Sequence, residues 1–541
     1  METGRNCRIF EEKEEKLLFA SITSGTIHGI RSQLIHVEVD VSKGLPCFQM
    51  VGLPNSEVKE ARERVKVALK NAGIPLPSMC INVNLSPADL RKEGSLLDLP
   101  VAVGILTALR HLPPENAANT LIIGELGLNG EVKPVKGALP IVREAKKQGI
   151  SCCILPKENA AEGAAVQNID VIGVSNISDT LAFLQEDKEN RRKLIAPTQI
   201  DIHTLFARKT NDILLDFADV NGQQTLKRAA EIAAAGFHHL LIVGPPGSGK
   251  TMIARRLPTI LPPLSLEESM EVSEIYSIAG MLSPEDVLMT GRPFLAPHHT
   301  ITRQALAGGG RIPVPGIVTL AHRGILFLDE MPEFKRETLD ILRQPLEDRQ
   351  IQLARSAGNY IYPADFMLVG AMNPCPCGYF PDMQKCGCTS YEVHRYQERI
   401  SGPILDRIDI CAESAAVEVS DLTMPATQES SEQIRNRVLE ARHIQQRRFA
   451  GTALRFNTDM GVKEIRKYCS LRPAENRLIE QIFRQWNLTA RSYHRMLKVA
   501  RTIADLEGTE HIQEAHLMEA LMYRTVDYGE SGERSRKGKD G

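Results

Sequence analysis

The eight residues Gly244-Pro245-Pro246-Gly247-Ser248-Gly249-Lys250-Thr251 combine glycines, a lysine and an adjacent hydroxyl. Glycines let successive backbone N–H groups turn inward around phosphate oxygens. Lys250 supplies a mobile positive charge for β and γ phosphates, a following helix adds its N-terminal dipole, and the Thr251 hydroxyl can ligate Mg²⁺. The apolar run His239 to Gly244 precedes the loop and MIARRL follows it in helical period, the strand, loop and helix context that this chemistry requires. A second apolar run, Ile325-Leu-Phe-Leu, ends on Asp329 and Glu330. Carboxylates at the end of a buried strand are costly to desolvate unless a cation or water network uses them. Asp329 is read as the Mg²⁺ support and Glu330 as the group that polarises an attacking water; the plainer alternative is a helix N-cap at Asp329. Asn373 closes a third run, where its amide can orient that water or touch the γ phosphate, or can form a turn before Pro374. The chemistry assembled in this way is Mg²⁺-dependent hydrolysis of ATP.

A different chemistry follows directly after Asn373. Cys375-Pro-Cys377 and Cys386-Gly-Cys388 make two Cys-x-Cys pairs in one short loop. Four thiolates can close a tetrahedral structural Zn²⁺ site, with Gly378 and Pro381 suiting a tight metal-organised turn; the alternative is reduced thiols packed in an ordinary loop. His298 and His299 also invite a metal reading. Adjacent residues of a strand point to opposite faces, so a structural or ring-assembly role is expected for this pair.

These groups need elements to hold them. The three apolar runs, Gly324 to Asp329 and Phe366 to Asn373 among them, read apolar on both faces, as strands of a parallel sheet covered by helices do, and predict a doubly wound α/β core. Before it, Ile35, Val37, Val39 and Val41 alternate with His36, Glu38 and Asp40 in the period of a half-buried strand. Ser56 to Ala72 reads as a helix and Cys80 to Leu85 as a strand, while Leu121 to Val132 holds two short strands around Asn129-Gly130. Gln350 to Pro363 reads as strand, turn, strand. Beyond Glu413 the periodicity is helical to Arg524.

The chain of 541 residues is too long for one core. Apolar residues make up 43% and charged residues 24%, near globular averages, and no run is long enough for a membrane span or an export signal, so a cytoplasmic protein is expected. Eleven cysteines, most of them scattered singly, do not make a secreted disulfide scaffold. A net charge of -2 confines any nucleic-acid binding to a local patch or lined channel. Lys59, Arg62, Lys66 and Lys70 recur on one face of the first predicted helix and can track phosphates, although interleaved Glu57, Glu60 and Glu63 suit a plain solvated face.

GPPGSGKT, FLAPHHT at Phe294 to Thr300, GILFLDEMPEF, SGPILDRIDI at Ser401 to Ile410 and TARSYHRMLKVARTIADLEG resemble the ComM/YifB family of magnesium-chelatase-like AAA+ ATPases. The resemblance begins at SGTIHGIRSQLIHVEVDVSKG and covers nearly the whole chain. It implies a Lon-protease-like α+β domain over 16–185, after an N-terminal extension over 1–15, and an AAA+ core with a helix-two insert over 210–413; the charged, Pro-containing stretch within 186–209 reads as a linker, the helical periodicity over 414–525 as a lid, and the Gly, Ser and charge of 526–541 as a disordered tail. It further implies a homo-oligomeric ring, commonly hexameric, in which Arg407 looks like the arginine finger and Arg491 like the second sensor arginine, acting either in cis or in trans. Arg355 in the Gln350 to Pro363 hairpin, and Arg311 after Ala307-Gly-Gly-Gly, would face a pore and can grip DNA; a plain solvated loop suits both equally well.

The first domain resembles that of Lon and of the recombination protein RadA. Where Lon has its Gly-Pro-Ser-Ala-Gly nucleophile segment, this chain has Lys92-Glu-Gly-Ser95, and Leu139 falls where the lysine belongs. A non-proteolytic domain with a structural Ser95 is therefore expected. The leading reading is a DNA-dependent ATPase, a branch-migration helicase in recombination or natural transformation. The alternatives are the ATPase subunit of a magnesium-chelatase-type metal insertase, which would not be expected to carry the Lon-like domain or the cysteine loop, and a protein-remodelling motor.

Overall fold

The period-two alternation at Ile35, Val37, Val39 and Val41 belongs to a strand over Arg31–Ser42, which buries those four side chains. The computed structural model of the chain describes residues 18–92, 94–208, 215–283, 285–310, 313–355, 358–415, 428–485 and 489–524. The chain divides into two compact units, Met1–Ile202 with Tyr276–Leu288, and His203–Ile275 with Met289–Gly541.

In the first unit, strands β1 (Leu18–His28), β2 (Arg31–Ser42), β3 (Cys47–Val51), β4 (Cys80–Ser86), β5 (Thr120–Ile122), β6 (Cys152–Pro156) and β7 (Asp170–Val174) form one mixed sheet in the order β3-β4-β2-β1-β5-β6-β7. The pairs β1/β2 and β2/β4 are antiparallel and the others parallel. Helix Asp98–Ala108 is buried throughout, and Gly104 lets it lie on the sheet, since a Cβ there would stand 2.7 Å from Val39 Cγ2. Helix α1 (Ser56–Asn71) buries Val58, Ala61, Val65, Ala68 and Leu69 and leaves Lys59, Arg62, Lys66 and Lys70 exposed. The expected hairpin around Asn129-Gly130 is Glu125–Leu126 paired with Val132–Lys133. Cys47 and Cys80 do not stand singly, as the spacing suggested; they are register partners in β3 and β4, joined by a disulfide. The stretch read as a linker carries two short helices, Lys188–Leu194 and Ile202–Arg208.

The second unit contains β8 (Leu240–Val243), β9 (Phe294–Leu295), β10 (Ile325–Leu328), a hairpin of β11 (Gln350–Arg355) and β12 (Gly358–Pro363), then β13 (Met367–Met372) and β14 (Ile410–Glu413). Apart from the hairpin these form one sheet, β9-β10-β13-β8-β14, with every pair parallel. Alternate residues feed the two faces: Leu240, Ile242 and Phe327 on one, Leu241, Val243, Leu326 and Leu328 on the other. That is why these strands read apolar on both sides. The helices Ser431–Arg448, Val462–Tyr468, Pro473–Gln485, Ala490–Leu506 and Glu514–Met522 follow, and Ile434, Val438, Leu497, Ala500 and Ile503 join the first face. No helix among the described residues is long and apolar enough to cross a membrane.

Two histidines fasten loops of this sheet. His239 Nδ1 accepts the N–H of Leu368 at 3.0 Å and His322 Nδ1 accepts that of Asp365 at 3.0 Å. A ring nitrogen that accepts cannot carry a proton, and burial pushes both rings below their ordinary value, His239 to about 4. On acidification the unfolded chain therefore takes up its protons first. Stability contributed by these rings is present above pH 6.5 and is lost as the pH falls toward 4, on the order of 2 kcal/mol. Denaturant unfolding at pH 7 and pH 4.5 should show this loss, and a His239→Gln, His322→Gln variant, whose amide oxygens still accept, should lose less between the two.

Candidate active site

The carboxyl ends of β8, β13 and β10 converge, as binding sites of parallel sheets do. From β8 the chain enters the loop at Gly244. Gly247 and Gly249 take φ of +77° and +87°, a conformation that other residues resist. A Cβ on Gly244 would stand 2.6 Å from the Ser414 carbonyl oxygen. Ser248 Oγ donates to Pro245 O at 2.8 Å and closes the loop on itself. Lys250, first residue of the helix Lys250–Ile260, turns its Nζ back to donate to Gly244 O at 2.7 Å, Pro245 O at 2.8 Å and Asn373 Oδ1 at 3.1 Å. Burial pushes this ammonium below its ordinary value, while Asp329 and Glu330 pull it up.

Thr251 Oγ1 donates to Asp329 Oδ2 at 2.8 Å, and Asp329 Oδ1 accepts the Glu330 N–H at 3.0 Å. Neighbouring hydroxyl and carboxylate oxygens are the hard donors that Mg²⁺ takes. Glu330 sits at φ +49°, rare for a side-chain-bearing residue, and its carboxylate is exposed. Residues 244–251, Asp329, Glu330 and Asn373 thus come together from three strand ends. Sequence reasoning missed the braces. Gln223, at φ +55°, donates through Nε2 to Ser248 O at 3.3 Å and Ala415 O at 2.6 Å, and Ser414 Oγ donates to Ser248 O at 2.9 Å. Only the proximity of Ser414 to the end of a strand could have hinted at this.

Arg407 and Arg491 lie elsewhere in the same unit. Both pair with Glu347, and neither has a bond to the loop among the described residues. Arg495, one turn along from Arg491, donates to Ile408 O at 3.3 Å. Arg355 is exposed at the tip of the β11/β12 hairpin; Arg311 lies outside the described residues.

The sulfurs of Cys375, Cys377, Cys386 and Cys388 all lie within 4.8 Å of one another. Cys375 Sγ is 3.3 Å from that of Cys377 and 3.8 Å from that of Cys386, and it accepts the N–H groups of Gly378 at 3.2 Å and Phe380 at 3.4 Å. This cluster could hold a structural metal ion. It also touches the phosphate loop, since a Cβ on Gly378 would stand 2.5 Å from Pro246 Cδ.

The strand premise behind the reading of His298 and His299 does not hold. The rings of His298 and His299 are side by side, centroids 4.0 Å apart. Their strand ends at Leu295, and beyond Pro297 the chain turns, with Ile301 N donating to His298 O, so strand alternation does not apply. In the first unit, Leu139 is buried with its N–H on Glu162 Oε1 at 3.0 Å, and Ser95 Oγ bonds to the Glu125 carboxylate.

A five-stranded parallel sheet with a glycine-rich, lysine-ended loop after an inner strand and an acidic strand end near it is consistent with an AAA+ ATPase. Family models described as magnesium chelatase, subunit ChlI, match residues 216–422; as subunit ChlI of Mg-chelatase, 37–159; and as the ChlI C-terminal part, 428–524. The chain is 42% identical to the protein YifB of Salmonella typhimurium, over 92% of this chain and 96% of that protein. It is 40% identical to competence protein ComM of Haemophilus influenzae, over 94% and 97%. It belongs to the ComM/YifB family of magnesium-chelatase-like proteins. A shorter match, 28% identical over 33% of this chain and 39% of the other, is to DNA repair protein RadA of Halalkalibacterium halodurans.

Gly244→Ala should force the loop off Ser414 and weaken binding of a fluorescent ATP analogue at least about tenfold, whereas Gln223→Ala, which removes its hydrogen bonds with Ser248, Ser414 and Ala415, should weaken it roughly three- to tenfold. Unchanged affinity in both would mean that the Gln223 and Ser414 braces do not set the loop.

Proposed function

We propose that this chain is an ATP-driven DNA motor, a hexameric ring that promotes branch migration in recombination or natural transformation. The observation that carries the reading is the separation of charge: the lysine cradle and the two arginines occupy different parts of one unit. Cations with no bond to their own chain's loop are suited to a neighbour's nucleotide, so Arg407 is the arginine finger and Arg491 acts in trans. Within the site, Lys250 binds β and γ phosphates and Asn373 orients the γ phosphate or the water. Glu330, its exposed carboxylate held forward by a left-handed backbone, accepts the water's proton as the water attacks the γ phosphorus and ADP leaves. Thr251 and Asp329 would hold Mg²⁺, which when bound neutralises phosphate charge.

The DNA part rests on the names of the relatives, a competence protein and a DNA repair protein, and on Arg355 at an exposed hairpin tip, with Arg311 assigned the same task. ATP turnover should rise several-fold with forked or four-way DNA. Absence of stimulation by any DNA would favour the second reading, an ATPase subunit of a chelatase-type insertase, which the ChlI family models support. Lys250→Ala should abolish nucleotide binding, while Glu330→Gln should bind ATP without turning it over.

For the cysteine loop the fit is to zinc. Tetrahedral Zn²⁺ with sulfur at about 2.3 Å spaces its ligands about 3.8 Å apart; the sulfurs of Cys375, Cys377 and Cys386 are 3.3 to 3.8 Å apart and all four lie within 4.8 Å. Cys375, Cys377, Cys386 and Cys388 would hold it as a structural cross-link. Metal analysis of the purified protein should find about one zinc per chain, lost in a Cys375→Ser, Cys377→Ser variant. Wild-type protein free of zinc would leave the loop as packed thiols.

A further inference from the structure

The geometry points to Glu347 as the positioning residue that holds Arg407 and Arg491 together as one cationic unit for a neighbouring copy's nucleotide. This rests on the ring reading above and names a group that reading does not contain. Glu347 lies in the short helix Arg343–Asp348, just ahead of the β11/β12 hairpin. One of its carboxylate oxygens pairs with Arg407 Nη2, and the other lies 3.2 Å from Arg491 Nη2. A single carboxylate therefore joins the loop after Gly402–Leu405 to the first turn of Ala490–Leu506.

The surroundings make this carboxylate hard to replace. A cavity of about 360 Å³ is lined by Arg349, Arg407, Arg491, Arg495 and Lys498. The other carboxylates facing it are engaged: Asp459 with Arg349 at 2.5 Å, Asp365 with Arg323, and Asp409 with the N–H of His239 at 3.2 Å and the ring of His238. Among the described residues only Glu347 pairs with Arg407 or Arg491. Arg407 is 11% exposed, its Nε is buried without a partner, and its Nη1 donates to Pro403 O at 2.5 Å. Among the described residues, Pro403 and Glu347 alone fix the plane of that guanidinium.

An ordinary exposed ion pair contributes little. Here the pairing sets direction. A guanidinium has five N–H donors, so contacts with Glu347 leave donors on each arginine for a phosphate oxygen. Glu347 is 54% exposed and is itself one of the residues that line the cavity. The Arg407 guanidinium, with Arg491 second, holds its carboxyl below the usual range, so it stays ionised at neutral pH. Without it, two like charges stand side by side and turn apart into water.

The test uses the full chain, with ATP turnover measured on four-way DNA. Glu347→Ala and the isosteric Glu347→Gln should lower kcat at least about tenfold with KM within about twofold, since the arginines they misplace act on the transition state. Melting temperatures show whether each variant folds; if Glu347→Ala does not, Glu347→Gln decides. Either variant is then mixed with Glu330→Gln, which has a dead site of its own but intact arginines. Junctions that join the variant's intact loop to the arginines of Glu330→Gln are complete, so the mixture should exceed the sum of its parts several-fold, as should a control mixture of Arg407→Ala with Glu330→Gln. Wild-type turnover in both Glu347 variants overturns the proposal, as does failure of the Glu347 mixtures while the Arg407 control succeeds, and in either case the ring reading stands. Failure of the Arg407 control overturns the ring reading and this proposal with it.

Discussion

A half-buried ammonium at the end of an inner strand is the constraint around which the second unit is arranged. Lys250 needs oxygen on every side that is not water, and it takes carbonyls from Gly244 and Pro245 and the amide of Asn373. The amide partner and the close fit of the loop depend on β8 lying between β13 and β14. β13 delivers Asn373, and β14 runs into Ser414, whose carbonyl leaves no room for a side chain at Gly244. Asp329 arrives from the next strand over and meets Thr251, the residue after the lysine. A parallel sheet supplies all of this because its strands end on the same side.

Much of that arrangement was legible beforehand, for a local reason. Both-face burial makes β8, β10 and β13 read as unbroken apolar runs, and the cradle's glycines and lysine are contiguous. What was not legible is whatever depends on contacts distant in sequence. Gln223 reaches Ser248 and Ala415 across the fold, and nothing local marks a glutamine for that task. Glu347 looks like one of many surface acids until Arg407 and Arg491 are seen on either side of it. The histidine pair misled because a period-two rule was carried past the end of its strand at Leu295. Cys47 and Cys80 meet only through the β3/β4 register, which their spacing does not reveal.

The first unit shows polar groups used for architecture. Asp98 accepts Arg64 Nε at 2.6 Å and the N–H of Leu126 at 3.2 Å, tying helix α1 to the small hairpin. Glu162 accepts the N–H of Leu139 and the amide of Asn159 at 2.9 Å. Buried carboxylates in such positions are satisfied by fixed donors and hold neighbouring elements together. A leucine where the resemblance to Lon would put a lysine fits the same picture: Leu139 belongs to the packed interior, and Ser95 is left with an acid for its partner.

Division of cations between two places in the second unit also has an energetic logic. Three cations about 7 Å apart repel by about 2 kcal/mol per pair at an effective dielectric near 20, a cost that a folded chain without a polyanion would bear continuously. Here each group is compensated separately, Lys250 by carbonyls with Asp329 and Glu330 near it, the arginines by Glu347. On the proposed ring reading, full positive charge is assembled only where a triphosphate lies between two chains to absorb it. On that reading hydrolysis depends on subunit contact, because the lysine and Mg²⁺ of one chain and the arginines of the next would stabilise the transferring phosphoryl group together.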